Sequence, residues 1–502
     1  MRVVDCGSTA LPSRERWIAA AVLVLVVVLR SIVFVFWEQS FFDSDQAITG
    51  LMAKHLIEGR AFPLFFYGQN HMLGVDAYLA APVFAVAGVS VTTLKLPLLV
   101  LNIGVALLLL RTLERDVGLR PYLALVPVLF FAVPSPAAAS EMLAPYGGSF
   151  APFVYTLLIW RTRARPGWCG SVFGFGFLHR EFTLYALLAL IAVEATEGAL
   201  LTWEGVRRRV AMFRTAAAVW LVVHVLKYYS SAQGPGTSTA DLLRPRDSVL
   251  ELADRWCGDL ASLPAGIVQL FTEHWPVLFG TRPVPFYDLA IESTGKQGVD
   301  GSWIIVAVAV LLPMATIGYR LLRERRWRPE ENFCAYLVLT GLGSAAGYVI
   351  GRCGHLHPTI LRYELLSTLA VVGLGAWFLK VVPWSWLRTT WIGIAFAAVG
   401  ISALSHAQLL REYVTNTPGN PKRSIVRHLE SRGVKYAKAD YWRAYAITFL
   451  TNERIIVASE NVERISEYQK LADAHRDQAV RLSRENCPDG TMLTDRLWIC
   501  PP

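Results

Sequence analysis

The sequence predicts a mainly α-helical, polytopic membrane protein that ends in a small soluble α/β domain. Three observations predict it. Of 502 residues, 54% are hydrophobic and mean hydropathy is +0.40, above the roughly 45–50% apolar content of soluble domains. The apolar residues recur in runs of about the length a helix needs to cross a bilayer. Lys and Arg number 48 against 39 Asp and Glu, for a net charge of +9, and the surplus is spread over short loops, as expected where cytoplasmic loops collect basic residues. The same scatter argues against a nucleic-acid partner, which needs one basic patch.

Taken in order, the chain opens with a basic lead (Arg2, Arg14, Arg16) and an apolar run from Trp17 to Trp37. No small-x-small cleavage site follows, so the run reads as an uncleaved first span with its N-terminus inside. Residues 38–92 are then an external loop. Within it, "FFDSDQAITGLMAKHLIEGR" (41–60) predicts a helix with Ile48, Leu51, Met52, His55 and Leu56 on one face, Ser44 as its cap and Gly59 as its stop. "GVDAYLAAPVFAVAG" (74–88) predicts a second helix, too short to span. Both are expected to lie along the membrane surface.

Further runs fall near 93–111, 119–135, 149–161, 168–180, 182–198, 210–226, 302–320, 333–351, 363–381 and 389–407, which makes roughly eleven spans. Alternating sides places Arg111, Arg115 and Arg120 inside, with Arg161, Arg163, Arg165, Arg207, Arg208, Arg209, Arg320, Arg323, Arg325, Arg326 and Arg328. It places loop 227–301 outside, with Asp241, Asp247, Glu251, Asp254, Asp259, Glu273, Asp288, Glu292 and Asp300. Charge and alternation therefore agree, and a full span at 76–91 would break the agreement.

The predicted division is a transmembrane domain over 1–408 and an external α/β domain over 409–502. Seven cysteines show no zinc-ligand spacing, and Cys487 and Cys500 in "NCPDGTMLTDRLWIC" are a candidate disulfide pair. Arg30, inside the first span, costs about 2.5–3.5 kcal/mol on insertion scales and needs a partner. Gly343, Gly347 and Gly351 are spaced for a helix-packing face. "GFGF" lacks the rest of a dinucleotide fingerprint.

On this map the chemically active residues face one side. Asp43, Asp45, Tyr67, Gln69 and Asp76 lie in the first external loop, and Glu141 in the second. His179, Arg180 and Glu181 lie at the break "GFGFLHREFTLY". Arg352, His355, His357, Arg362 and Tyr363 lie in "GRCGHLHPTILRYELL". Ionisable groups at membrane depth are costly and mark functional sites. Carboxylates there serve as general base or metal ligand, and arginines grip a phosphate in a bidentate fork. The plainer readings are helix caps for Asp43 and Asp45, a rim residue for Asp76, a loop acid for Glu141 and an ion pair for Arg180 and Glu181. His355 and His357 form an H-x-H without a third ligand. No metal set is predicted, and a divalent cation stays open.

The chain resembles the GT-C superfamily of membrane glycosyltransferases, in particular bacterial relatives of the dolichyl-phosphate-mannose-protein mannosyltransferases and lipid A aminoarabinose transferases. "DSDQAITGLMAKHL" is similar to that superfamily's acidic first-loop motif, and "FPLFFYGQNHMLGVDAYLAAPVFAVAG" to the second helix of that loop. "GFGFLHREFTLYALLAL" is similar to its mid-chain break, and "LRYELL" to a late Arg-Tyr motif. The resemblance covers most of the first 200 residues and a patch near 360. It implies a transfer from a polyprenyl-phosphate sugar to a hydroxyl acceptor (lipid, glycan or protein) at the outer membrane face, with inversion. Asp45 would be the base, Asp43 its neighbour, and Arg180 or Arg362 would stabilise the departing phosphate. Gln46 stands where the motif carries Glu. The competing class is a transporter or flippase of lipid-linked saccharides, or a non-catalytic relative. A transporter would place its polar residues near the midplane of repeated halves, and no repeat is visible here.

Overall fold

The computed structural model describes residues 13–69, 72–198, 200–231, 260–281, 301–324, 328–352, 358–494 and 497–501. Helix α1 (Ser13–Phe36) leads to the first loop with α2 (Ser44–Ile57) and α3 (Val75–Ala87). There follow α4 (Val91–Thr112), which a π turn extends to Val117, and α5 (Pro121–Ala132), α6 (Pro136–Met142), α7 (Ala151–Thr162), α8 (Pro166–His179), α9 (Thr183–Thr196) and α10 (Trp203–Ser231). Helix α11 (Leu263–Gln269) continues through a second π turn (Leu270–His274) into α12 (Trp275–Leu278). The bundle closes with α13 (Trp303–Glu324), α14 (Asn332–Arg352), α15 (Ser367–Val381) and α16 (Ser385–Thr415). Starts are written locally. Ser90 and Thr93 form a capping box on α4. Pro121, Pro136 and Pro166 open α5, α6 and α8, where a missing N–H costs nothing.

Each of the eleven predicted runs is helical. Among the described residues, six helices are long and apolar enough to cross a membrane, and α5 with α6 makes a seventh if that pair, bent by 85°, is one span. The chain is a mainly α-helical integral membrane protein. Helices α7, α8, α9 and α15 have 12, 14, 14 and 15 residues, short of the ~20 that span alone, and they pack against longer neighbours. A Cβ on Gly373 of α15 would lie 2.7 Å from the Cys334 carbonyl of α14. Gly347 of the predicted glycine face meets Tyr185 of α9, and Gly343 lies near the same ring, whereas a Cβ on Gly351 would meet nothing within 4 Å. Arg30 is buried and donates to Asn102 of α4, whose amide reaches the Met142 carbonyl at 3.1 Å.

The basic loops gather at one end of the bundle. Arg16 pairs with Glu114 (2.9 Å), and Arg163 stacks on Trp160 and lies 3.6 Å from Asp116. Arg208 donates to the Arg163 carbonyl at 3.1 Å, and Arg209 pairs with Glu194 at 2.7 Å. Arg325 and Arg326, and the predicted external acids other than Glu273, lie outside the described residues.

The first loop departs from the prediction. α3 has 13 residues and exposes Tyr78, Leu79 and Val86, as a helix at the membrane edge would. α2 is instead buried: Ile48, Leu51 and Met52 are fully covered and share a core with Tyr445, Phe449 and Leu450 of the C-terminal unit. Its apolar face is covered by protein, not lipid. Each such side chain contributes about 1.5–3 kcal/mol on burial, so the first loop and the C-terminal unit stabilise each other. The α2 cap also differs: Asp43, not Ser44, accepts from the Gln46 N–H, at 3.1 Å. Gly59, at φ 67°, lies just past the end, where a residue without Cβ is favoured.

After α16 the chain forms the α/β unit: α17 (Pro421–Ser431), β1 (Tyr436–Ala439), α18 (Tyr441–Leu450), β2 (Ile456–Ser459), α19 (Ser466–Ala474), β3 (Val480–Ser483), β4 (Thr491–Thr494) and β5 (Leu497–Cys500). The sheet order is β2-β1-β3-β5-β4, parallel across the first three strands and antiparallel across the last two. Strand order reverses at β1, so the crevice that such sheets use for ligands opens beyond its C-terminal end. Cys487 and Cys500 are disulfide-bonded.

Candidate active site

The N-terminal end of α2, the turn at 358–363 and the loop after α6 meet at the end of the bundle opposite the basic loops. Asp45 Oδ2 lies 3.5 Å from Arg362 Nη1, and both side chains are nearly one-fifth exposed. The Arg362 guanidinium stands 4.8 Å from the Tyr146 ring centre and 5.3 Å from that of Tyr363. Tyr146 accepts from Gln46 Nε2 at 3.4 Å. Glu141 Oε2, Gln46 Oε1 and Arg362 Nε are buried without a hydrogen-bond partner. Burial and the neighbouring Asp45 carboxylate push Asp43 up to about 7, against the pull of its bond from Gln46 and of Arg362 and Lys422. Burial lowers Lys422, whose Nζ donates to the Ser40 carbonyl at 2.6 Å.

A second polar cluster is built on Asp76. Its carboxylate accepts from Gly148 N at 2.6 Å and lies 3.6 Å from His179 Nε2, while His179 Nδ1 is 3.2 Å from the Tyr155 hydroxyl. Gly148, at φ 92°, leaves no room for a side chain, because a Cβ would lie 2.5 Å from the His179 ring. Arg180 follows as the C-cap of α8, 2.8 Å from Met72 Sδ, and its buried Nε lies 4.0 Å from Glu181 without a hydrogen-bond partner. The two clusters adjoin through the loop carrying Tyr146 and Gly148 and through packed rings: Arg180 lies over Phe182, which meets Tyr363 edge to face at 5.6 Å.

The structure thus brings Asp43, Asp45, Glu141, Arg362 and Tyr363 into one group, and Asp76, His179, Arg180 and Glu181 into a neighbouring one. It does not bring Tyr67 and Gln69 there. The Tyr67 hydroxyl is 2.9 Å from His55 Nδ1, in a network around Glu453 of the C-terminal unit, and Gln69 sits in the turn beside Gly68, whose carbonyl accepts from Arg464 at 2.9 Å. His355 and His357 lie outside the described residues, as does the Arg352 side chain. Among the described residues, no group of three or more His, Cys, Asp or Glu is placed to hold a metal ion.

Three residues escaped the sequence reading: Tyr146, Lys422 and Tyr441. Tyr441 donates to Asp45 Oδ1 from the C-terminal unit. A signal existed in "KADYWRAY", where a helix cap follows a strand directly, the position at which α/β sheets present function.

No protein-family model matches the chain, and no curated protein sequence matches it. The Archaeoglobus fulgidus oligosaccharyltransferase, solved with zinc and sulfate, is structurally similar over 92% of this chain and 68% of that one, with 13% identity and a TM-score of 0.51. ArnT from Cupriavidus metallidurans aligns in its apo state over 96% of this chain and 98% of that one, with 13% identity and a TM-score of 0.42. Bound to undecaprenyl phosphate it aligns over 96% and 97%, with 12% identity and a TM-score of 0.41. The chain has a GT-C-like fold.

Proposed function

We propose that this protein is a membrane glycosyltransferase that moves a sugar from a polyprenyl-phosphate donor to a hydroxyl acceptor, with inversion. One observation carries the reading. A partly exposed carboxylate, Asp45, faces a planar guanidinium, Arg362, at one end of a bundle, with further buried polar atoms around them unpartnered. A lipid donor has its chain in the bilayer and its phosphate at the interface. Asp45 takes the proton of the attacking hydroxyl. The sugar–oxygen bond to phosphate breaks as the new glycosidic bond forms, and Arg362 and Arg180 neutralise the charge growing on the leaving phosphate. Asp43, Glu141 and Asp76 orient the acceptor and sugar. The clustering of the basic loops at the opposite end supports an external site, with the N-terminus inside and the C-terminal unit outside.

The test is turnover in proteoliposomes with a panel of polyprenyl-phosphate sugars, read as release of polyprenyl phosphate. The wild type should consume at least one donor, and Asp45→Asn should not. Donor that crosses the bilayer without being consumed would instead favour a flippase.

A further inference from the structure

We infer that Tyr441, from the C-terminal α/β unit, is a positioning residue for the Asp45 carboxylate, so that transfer requires that unit docked on the bundle. The inference rests on the reading of Asp45 as the base. Its ground is a clamp on one dipeptide. Ser44 Oγ donates to the Tyr441 carbonyl and accepts from Tyr445 N at 3.2 Å and Ala446 N at 3.3 Å. The next residue, Asp45, accepts from the Tyr441 hydroxyl. One turn of α18 therefore fixes both the backbone height and the carboxylate orientation of the α2 N-terminus.

The packing that allows this is specific. A Cβ on Gly50 would lie 2.4 Å from the Phe449 ring, so α2 and α18 approach as only glycine permits. Asp440 caps α18 directly after β1, by accepting from Trp442 N at 3.1 Å, and Tyr441 N donates to Asn461 Oδ1 at 2.9 Å. Tyr441 thus stands at the crevice end of β1, and α2 enters there with its acidic end.

The charged and titratable groups around Asp45 are Asp43, the cap of its own helix, Arg362 and Tyr363 from the turn at 358–363, Tyr146, and Tyr441 with Arg464 behind its ring, with Lys422 of α17 acting on Asp43 and Glu141 of α6 on Asp43 and Tyr146. Arg362 takes one carboxylate oxygen and Tyr441 the other. Burial and the Asp45 charge raise the Tyr441 hydroxyl well above its ordinary range, so it stays a donor throughout the working pH. A hydrogen bond to a carboxylate favours its charged form, and holding it aims the remaining lone pairs at an incoming hydroxyl.

The experiment compares wild type and Tyr441→Phe as full-length proteins in proteoliposomes, over pH, with whichever polyprenyl-phosphate sugar the wild type consumes. The expected result is kcat lower by about tenfold at unchanged donor KM, and an acid limb of kcat/KM moved up by about one pH unit. An unchanged kcat, or a lowered kcat with an unmoved acid limb, overturns the inference. Site-specific replacement of Tyr441 by difluorotyrosine keeps the shape and strengthens the donor, so it tests the same point where Phe disturbs folding. The acid limb should move down, and an unmoved limb overturns the inference. Failure of the underlying reading looks different: Asp45→Asn would turn over like wild type.

Discussion

The two ends of α2 are both polar, both acidic in their surroundings and both covered by the C-terminal unit, yet they are built on opposite plans. At the C-terminal end, the Glu453 carboxylate receives Lys54, His55 (3.3 Å), Arg60 (2.9 Å) and the Tyr468 hydroxyl (2.7 Å). Its oxygens are saturated with donors. At the N-terminal end, Asp45 has Arg362 and Tyr441, while Gln46, Glu141 and Arg362 around it each keep a buried polar atom unpartnered. A saturated buried network holds elements together, because every group in it has traded water for a partner. An unsaturated one leaves capacity for a ligand. Polar saturation, not the number of charges, separates the end that fastens from the end proposed to work.

The largest expected effect is at the end proposed to work. Asp45→Asn should leave melting in detergent nearly unchanged and reduce transfer by roughly 10²–10⁴-fold. If Asp43→Asn abolishes transfer and Asp45→Asn does not, the base is the other carboxylate. Next, Glu453→Ala strips the fastening end: Lys54 and Arg60 keep Glu58, but the buried His55 and Tyr468 lose their carboxylate acceptor. It should cost about 3 kcal/mol of stability while the protein that remains folded transfers at a near-normal rate. A rate loss larger than the loss of folded protein would erase the distinction between the two ends.

A smaller effect is expected for the proposed phosphate contact of Arg362. Arg362→Ala should weaken binding of polyprenyl phosphate by about 10–100-fold, the worth of a charge-assisted hydrogen bond, with Lys restoring only part of it. Equal affinity in the Ala variant would remove Arg362 from the donor site. The smallest effect is a pH dependence. The His55, Lys54 and Tyr468 donors, against the cost of burial, hold Glu453 well below the usual carboxylate range. Its folded form binds fewer protons than its unfolded form near pH 4. The stability it contributes is therefore complete above the ordinary carboxylate range and is lost as pH falls through and below it. Melting of the wild type should drop on acidification below about pH 4.5, and the drop should be shallower in Glu453→Gln.

How much of this was legible in the sequence differs by residue. The helices of the bundle were, because a run of apolar residues needs no partner to declare itself. So were the acidic start of α2, the Arg180 break and the Arg362 turn, since an ionisable residue at the edge of an apolar run stands out. Cys487 and Cys500 were legible as a pair, being close together in a tail with no other cysteine. The span count was less so: α7, α8, α9 and α15 are too short to span alone, and only packing against longer helices accounts for their burial.

By itself the sequence determined a membrane protein, the order of its helices, and which acids and bases lie between them. Those follow from local hydropathy, capping and charge, each of which acts within a few residues. Only the tertiary structure decided that α2 lies under α18 and not on a membrane, that Tyr67 joins Glu453 and not Asp45, and that Tyr441 reaches Asp45 across 396 positions of chain. An amphipathic face states that something must cover it but not what. Lipid and a second protein surface satisfy the same pattern of apolar residues, and the choice is made by shape: a glycine at position 50 and a phenylalanine at 449 that fit one another.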